Sequence, residues 1–259
     1  MKKYKNIVVT GCSFSAGDYN DENGTFLRNG KTYGDLIAKH FQSKFYNLAY
    51  SGHSIQYMTR SIYNWCSENT EKYKDTLIIL GVTGAQRYEI WSNRLNKWHR
   101  IHGDHVGSFY DDLGRTNGPD GDVPEKTMEF KMSRIELKKW YLNFHNNMAR
   151  FIISENYLIG LSSFLQLNKI DHVFFDALTN HRPVSHHGIH EESKWSKLLS
   201  MENWYKHPKY LSMAHFTDTL PDMRVTGDLY PIDHKRYDNH PNEKCHKYWA
   251  KCLLEYINE

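Results

Sequence analysis

The sequence has no uninterrupted apolar stretch of the roughly 18 residues that a membrane-spanning helix requires. Its start, Met1-Lys2-Lys3-Tyr4-Lys5-Asn6, passes through only Ile7-Val8-Val9 before Gly11, too short an apolar run for a secretory signal. Cysteine is scarce: Cys12, Cys66, Cys245 and Cys252 form no CxxC pair and no framework spacing, which argues against a disulfide scaffold or a zinc ribbon. A reduced, cytoplasmic protein with no membrane partner is the expectation from these absences. Nor does charge of one sign dominate. The 33 Lys and Arg and 30 Asp and Glu leave a net +3 scattered along the chain, so no nucleic-acid partner is expected. Internal repeats and low-complexity tracts are missing as well.

What is present is a large aromatic content of 18 Tyr, 12 Phe and 7 Trp, enough apolar area per residue to build a core. The length of 259 residues suits one domain over 1–259, with insertions at about 91–131 and 179–235. Short apolar runs at Ile7 to Thr10, Thr76 to Leu80 and Asp171 to Asp176 have the form of buried parallel strands. Between the first two lie a helix near Thr32 to Phe41, a strand near Phe45 to Ala49 and a helix near Ile55 to Glu68. That β-α-β-α-β order predicts an α/β protein, a three-layer α/β/α sandwich on a parallel sheet. A stretch from about Ser133 to Leu167 reads as one long helix or two with a break near Gly160, and a last helix runs from about Asn242 to Tyr256, with Trp249, Leu253, Leu254 and Ile257 on its apolar face.

Two segments carry chemistry-bearing residues. In Val8-Val9-Thr10-Gly11-Cys12-Ser13-Phe14-Ser15 a hydroxyl follows the first strand at once, and the carboxyl ends of strands in an open parallel sheet border the ligand crevice. The plainer reading is a strand-to-helix turn in which Ser13 or Ser15 is a cap. In Tyr237-Asp238-Asn239-His240-Pro241-Asn242 a histidine sits at a helix entrance with an aspartate two residues before it, an arrangement suited to a general base and its orienting group. Here the plainer reading is an Asn242 helix cap beside a merely polar His240.

Taken with Asn47-Leu48-Ala49-Tyr50-Ser51-Gly52-His53-Ser54, these segments resemble, in order and spacing, the conserved blocks of the SGNH (GDSL-like) hydrolase family. The resemblance implies a flavodoxin-like SGNH fold with Ser13 as nucleophile, His240 as general base and Asp238 as the group orienting it. It implies an oxyanion hole that includes the N–H groups of Ser13 and Gly52. Two positions depart from the family pattern: Cys12 stands where Asp precedes the nucleophile, and Gly81-Val82-Thr83-Gly84 stands where the third block has Gly-x-Asn-Asp. Thr83 offers one hydroxyl hydrogen in place of an amide, as a weaker third donor.

The expected activity is that of a serine esterase acting on a small acyl ester, such as an O-acetyl group on a carbohydrate, with no metal or organic cofactor. Acyl transfer to a second alcohol and a catalytically weakened binding module are the alternatives. Arg87 either binds an anionic substrate group or pairs with Glu89. Cys12 as the nucleophile is disfavoured, since the residue before the family's serine points into the protein. The cluster His181, His186, His187, His190 and Glu191 reads as a polar loop rather than a metal site, because Pro183 and Gly188 work against a helix there. Trp91, Trp98, Trp195 and Trp204, all in the insertions, serve either packing or the stacking of sugar rings.

Overall fold

A computed structural model of the protein describes residues 2–17, 19–20, 26–27, 31–85, 87–92, 96–101, 147–178, 201–223 and 240–259. Its strands and helices run β1 (Asn6–Gly11), α1 (Ser13–Ala16), β2 (Tyr19–Asn20), β3 (Phe26–Leu27), α2 (Tyr33–Phe41), β4 (Lys44–Asn47), α3 (Ile55–Glu68), β5 (Thr76–Val82), β6 (Tyr88–Ser92), β7 (Lys97–Ile101), α4 (Asn147–Leu167), β8 (Asp171–Asp176), β9 (Trp204–Tyr205), α5 (Met213–Thr219) and α6 (Glu243–Asn258).

Both β1 and β5 are buried at every residue. Strands covered on both faces need branched side chains on each side, and Ile7, Val8, Val9, Ile78 and Ile79 supply them. These strands form the centre of a five-stranded sheet in the order β4-β1-β5-β8-β9, parallel throughout. The chain moves from β1 outward to β4 on one side, and from β5 outward to β8 on the other. Right-handed crossovers in opposite directions place α2 and α3 on opposite faces. Accordingly α2 packs with α6 and α3 with α4, which gives the three layers. The crevice of such a sheet opens where neighbouring strands send their chains apart, here beyond the carboxyl ends of β1 and β5.

Helix ends follow local chemistry. Thr32 and Asp35 form a reciprocal capping box at the start of α2, Ser54 accepts from the Tyr57 N–H to cap α3, and Asn242 accepts from the Cys245 N–H to cap α6. Of the two readings of this stretch, the unbroken one holds at Gly160: α4 continues through it, with Leu158, Leu161 and Leu165 wholly buried. The stretch read as an insertion at 179–235 contributes β9, which pairs with β8 as the fifth strand. Trp204 belongs to that strand, is buried, and meets Phe174 edge-on at 5.8 Å, so it packs the core and offers no face to a ligand.

An aromatic cluster fixes α6 to the sheet's far edge. Phe216 of α5 stacks on Tyr248 with ring centroids 4.6 Å apart, and His207 stacks on Trp249 at 5.7 Å. Among the described residues no helix is long and apolar enough to cross a membrane.

The tightest fit in the sheet lies where Gly11 pairs with Gly81. A Cβ on Gly81 would stand 2.5 Å from Ser15 Oγ, and one on Gly11 only 2.2 Å from it. Ser15 is short and is held by the Tyr33 hydroxyl, which donates to it at 2.7 Å, so it has no flexible end to move aside. Gly81→Ala is therefore expected to cost about 1–3 kcal/mol through overpacking, seen as a Tm lowered by roughly 3–10 °C in thermal unfolding. Adding Ser15→Ala should recover part of that loss.

Candidate active site

Ser13 is the first residue of α1, a helix of only four residues that has little stability of its own. Backbone bonds from the Ser15 and Ala16 N–H groups to the Cys12 carbonyl, both 2.9 Å, and the left-handed Gly17 (φ 81°) close this turn. Cys12 points inward and is wholly buried, so a thiol at this position meets the protein's interior and not the crevice. Ser15 also points inward. Ser13 faces His240: its Oγ lies 2.7 Å from Nε2.

His240 is placed from the other end of the chain. Two residues after it, Asn242 caps α6, donates its side-chain amide to the Asp222 carbonyl at 2.7 Å, and donates its N–H to the Met223 carbonyl at 3.0 Å. The Phe14 ring flanks the imidazole, centroid to centroid 5.2 Å. Asp238 lies outside the described residues, as do His181, His186, His187, His190, Glu191 and Trp195. Among the described residues no group of three His, Cys, Asp or Glu is arranged to hold a metal ion.

The second block runs beside β1. Leu48 N–H donates to the Val9 carbonyl at 2.7 Å and Tyr50 N–H to the Gly11 carbonyl at 3.1 Å, while Asn47 reaches the Ala16 carbonyl at 3.3 Å. Gly52 follows with φ 74°, a left-handed backbone that a side chain would strain. No hydrogen bond within the described residues takes up the N–H of Ser13 or of Gly52. On β5, Gly81 is the register partner of Gly11, so Ser13 and Thr83 each lie two residues beyond paired glycines on adjacent strands. The Thr83 hydroxyl is buried and has no partner among the described residues.

The pairing of Arg87 with Glu89 does not form. Both oxygens of Glu89 are engaged elsewhere, Oε2 by Arg60 Nη1 at 2.7 Å and Oε1 by His53 Nδ1 at 3.3 Å. Arg87 keeps one guanidinium nitrogen, Nη1, enclosed and without an acceptor among the described residues. The Glu89 cluster carries no signature in the sequence, because its members are spread over 53, 60 and 89 with no recurrent spacing. Of the tryptophans considered for sugar stacking, Trp91 and Trp98 are 45% and 43% exposed, and they face each other across the β6–β7 hairpin, edge to face at 5.5 Å.

No protein-family model matches the sequence, and no curated protein matches it. Solved esterase structures resemble this chain. A psychrotrophic esterase from Pseudoalteromonas is 11% identical, with 98% of this chain and 97% of that one covered and a TM-score of 0.45. An acetylxylan esterase from Geobacillus stearothermophilus is 11% identical over 99% of this chain and 95% of its own, TM-score 0.44. A member of the lipolytic G-D-S-L family from Veillonella parvula is 12% identical over 98% of each chain, TM-score 0.43.

One histidine near the site is of the opposite character to a base. His246, in α6, is wholly buried and its Nδ1 accepts from the Tyr33 N–H at 3.3 Å. Burial, aided by the nearby His240, pushes its pKa down from the ordinary 6.5 to about 3. Below pH 6.5 the unfolded chain takes up a proton at this position that the folded protein refuses until about pH 3, so stability falls as pH drops through that window. The slope reaches at most about 1.4 kcal/mol per pH unit. His246→Gln keeps an acceptor for Tyr33 and does not titrate, so its Tm should fall less than that of the wild type between pH 7 and pH 5. Equal slopes for the two proteins would show that His246 does not govern the acid limb.

Proposed function

We propose that the chain is a serine hydrolase of the SGNH type that cleaves a small acyl ester. The observation that carries this reading is the 2.7 Å contact between Ser13 Oγ and His240 Nε2, formed by residues 227 positions apart. With Nε2 unprotonated, the Ser13 hydroxyl donates to it. As Oγ attacks the ester carbonyl, its proton passes to His240, and the carbonyl oxygen becomes an oxyanion. The N–H groups of Ser13 and Gly52 and the Thr83 hydroxyl are the proposed donors to that charge. Collapse of the intermediate expels the alcohol, which takes the proton from His240 and leaves Ser13 acylated. Water then repeats the sequence and releases the acid. Asp238 is assigned the role of accepting from His240 Nδ1–H, which keeps Nε2 free as the base.

An O-acetyl group on a carbohydrate is the substrate favoured here. The support is the exposed Trp91 and Trp98 on the hairpin that follows β5; the Arg60 guanidinium already lies over the Trp98 ring at 4.9 Å, so the ring surface left to solvent is what would meet the C–H side of a sugar. Arg87 is assigned to an anionic group of the substrate, because its enclosed Nη1 lacks an acceptor among the described residues and Glu89 does not supply one.

Ser13→Ala and His240→Ala should each lower kcat on p-nitrophenyl acetate by roughly 10³-fold or more, while changing stability by no more than about 1 kcal/mol. Labelling by a fluorophosphonate, mapped by mass spectrometry, should fall on Ser13 and vanish in Ser13→Ala. Undiminished turnover by Ser13→Ala would end this reading.

Thr83 tests the third block. An amide donor in an oxyanion hole contributes about 2.7–4 kcal/mol to the transition state, and a hydroxyl in its place should contribute less. Thr83→Val keeps the shape and removes the donor, so kcat should fall by roughly tenfold with KM nearly unchanged, because the bond strengthens only as negative charge develops. An unchanged kcat would leave the hole to the two N–H groups and assign Thr83 to packing.

A further inference from the structure

A carboxylate whose side chain is only 1% exposed must have its charge met locally. Glu89 of β6 has both of its oxygens engaged, by Arg60 and by His53, and its own N–H donates to Gln56 Oε1 at 2.8 Å. All three partners belong to the second-block loop and the first half of α3. Burial drives the Glu89 carboxyl up, but the bonds from His53 and Arg60 outweigh it and hold the group below its ordinary range, so it is an anion in the folded protein.

The position of His53 makes this cluster more than a clasp for the hairpin. It directly follows Gly52, the left-handed residue proposed as an oxyanion donor. Its ring stacks on Tyr57 with centroids 3.5 Å apart and meets Tyr50 edge-on at 4.9 Å, while Nδ1 is held by Glu89. On the other side of the glycine, Tyr50 N–H is tied to the Gly11 carbonyl of β1. The turn that aims the Gly52 N–H is thus fixed at its amino-terminal end by the sheet and at its carboxyl-terminal end by a side chain inserted from the hairpin.

We propose that Glu89 is a positioning residue for the oxyanion turn, acting through His53, so that the hairpin after β5 is a working part of the active site. This rests on the esterase reading above. Glu89 touches no reacting atom; it sets the direction of a donor that matters only when the oxyanion forms.

The test is a double-mutant cycle on the full chain, read by kcat and KM on p-nitrophenyl acetate and by the second-order rate of fluorophosphonate labelling of Ser13. Glu89→Gln removes the charge, and His53→Phe keeps the ring on Tyr57 but loses the bond to Glu89. Each should lower kcat and the labelling rate by about tenfold, the scale of a misaimed oxyanion donor, with KM within twofold. The double variant should fall no further than the worse single one, because both changes act through one contact. Should Glu89→Gln fail to fold, His53→Phe decides alone, since its change lies at the edge of the cluster. An active wild type whose kcat survives His53→Phe, or losses that multiply in the double variant, would overturn the positioning role. A wild type that neither turns over the ester nor labels at Ser13 would instead remove the esterase reading on which it rests.

Discussion

The site depends on how one serine side chain fits between two strands. Ser15 Oγ occupies the space that side chains at Gly11 and Gly81 would need, and the Tyr33 hydroxyl holds it there. A helix of four residues cannot sustain itself, since nucleating a turn costs more than its few hydrogen bonds return. What keeps α1 in place is the burial of Cys12, Phe14, Ser15 and Ala16 against the sheet. From the same turn the Phe14 ring flanks the His240 imidazole and the Ser13 hydroxyl meets its Nε2. The two glycines and the second serine of the block thus set the direction of Ser13, the proposed nucleophile.

His240 is placed by contacts near the other end of the chain together with the Phe14 ring. The cap at Asn242 is worth about 1 kcal/mol in a typical helix, and here Asn242 also ties the helix start to Asp222 and Met223. Behind it, Trp249 and Tyr248 pack among His207, Phe216 and Phe175. Neither anchor uses the Ser13–His240 contact to hold itself together. The Ser13 hydroxyl and the His240 imidazole approach at 2.7 Å where two elements end that Tyr33 links, its hydroxyl holding Ser15 and its N–H bonded to His246 of α6. Under the proposed mechanism such preorganisation would let that hydrogen bond serve as a proton path.

The sheet was legible because its strands are short, apolar and bounded by glycine or charge, as Asn6–Gly11, Thr76–Val82 and Asp171–Asp176 show. Helices with polar caps were legible too: Ile55–Glu68 begins after Ser54 and Glu243–Asn258 after Asn242. Elsewhere tertiary packing overrode the local signal. Gly160 carries a helix penalty near 1 kcal/mol, which three buried leucines on either side of it outweigh in α4. The fifth strand is two residues long and has no periodicity to reveal it. Glu89 illustrates a different limit. Its neighbour in sequence, Arg87, suggested a pair, yet its charge is met by residues about 30 positions earlier, a proximity that only the docking of the hairpin on α3 creates.

The orphaned groups near the crevice gain meaning from where they lie. Burying a hydroxyl without a partner costs on the order of 1–3 kcal/mol, and Thr83 is one of several such groups; Thr59 Oγ1 and Trp65 Nε1 are others, inside the helical layer. Orphanhood alone therefore does not mark a functional residue. Thr83 differs in its place: it leaves β5 level with Ser13 leaving β1, two residues beyond the paired glycines. The side chains of Thr59 and Trp65 belong to the buried stripe of α3, whose role is packing. In the proposed mechanism that unsatisfied hydroxyl would have a use when charge develops beside Ser13, whereas a donor sealed within a helix layer remains only a cost.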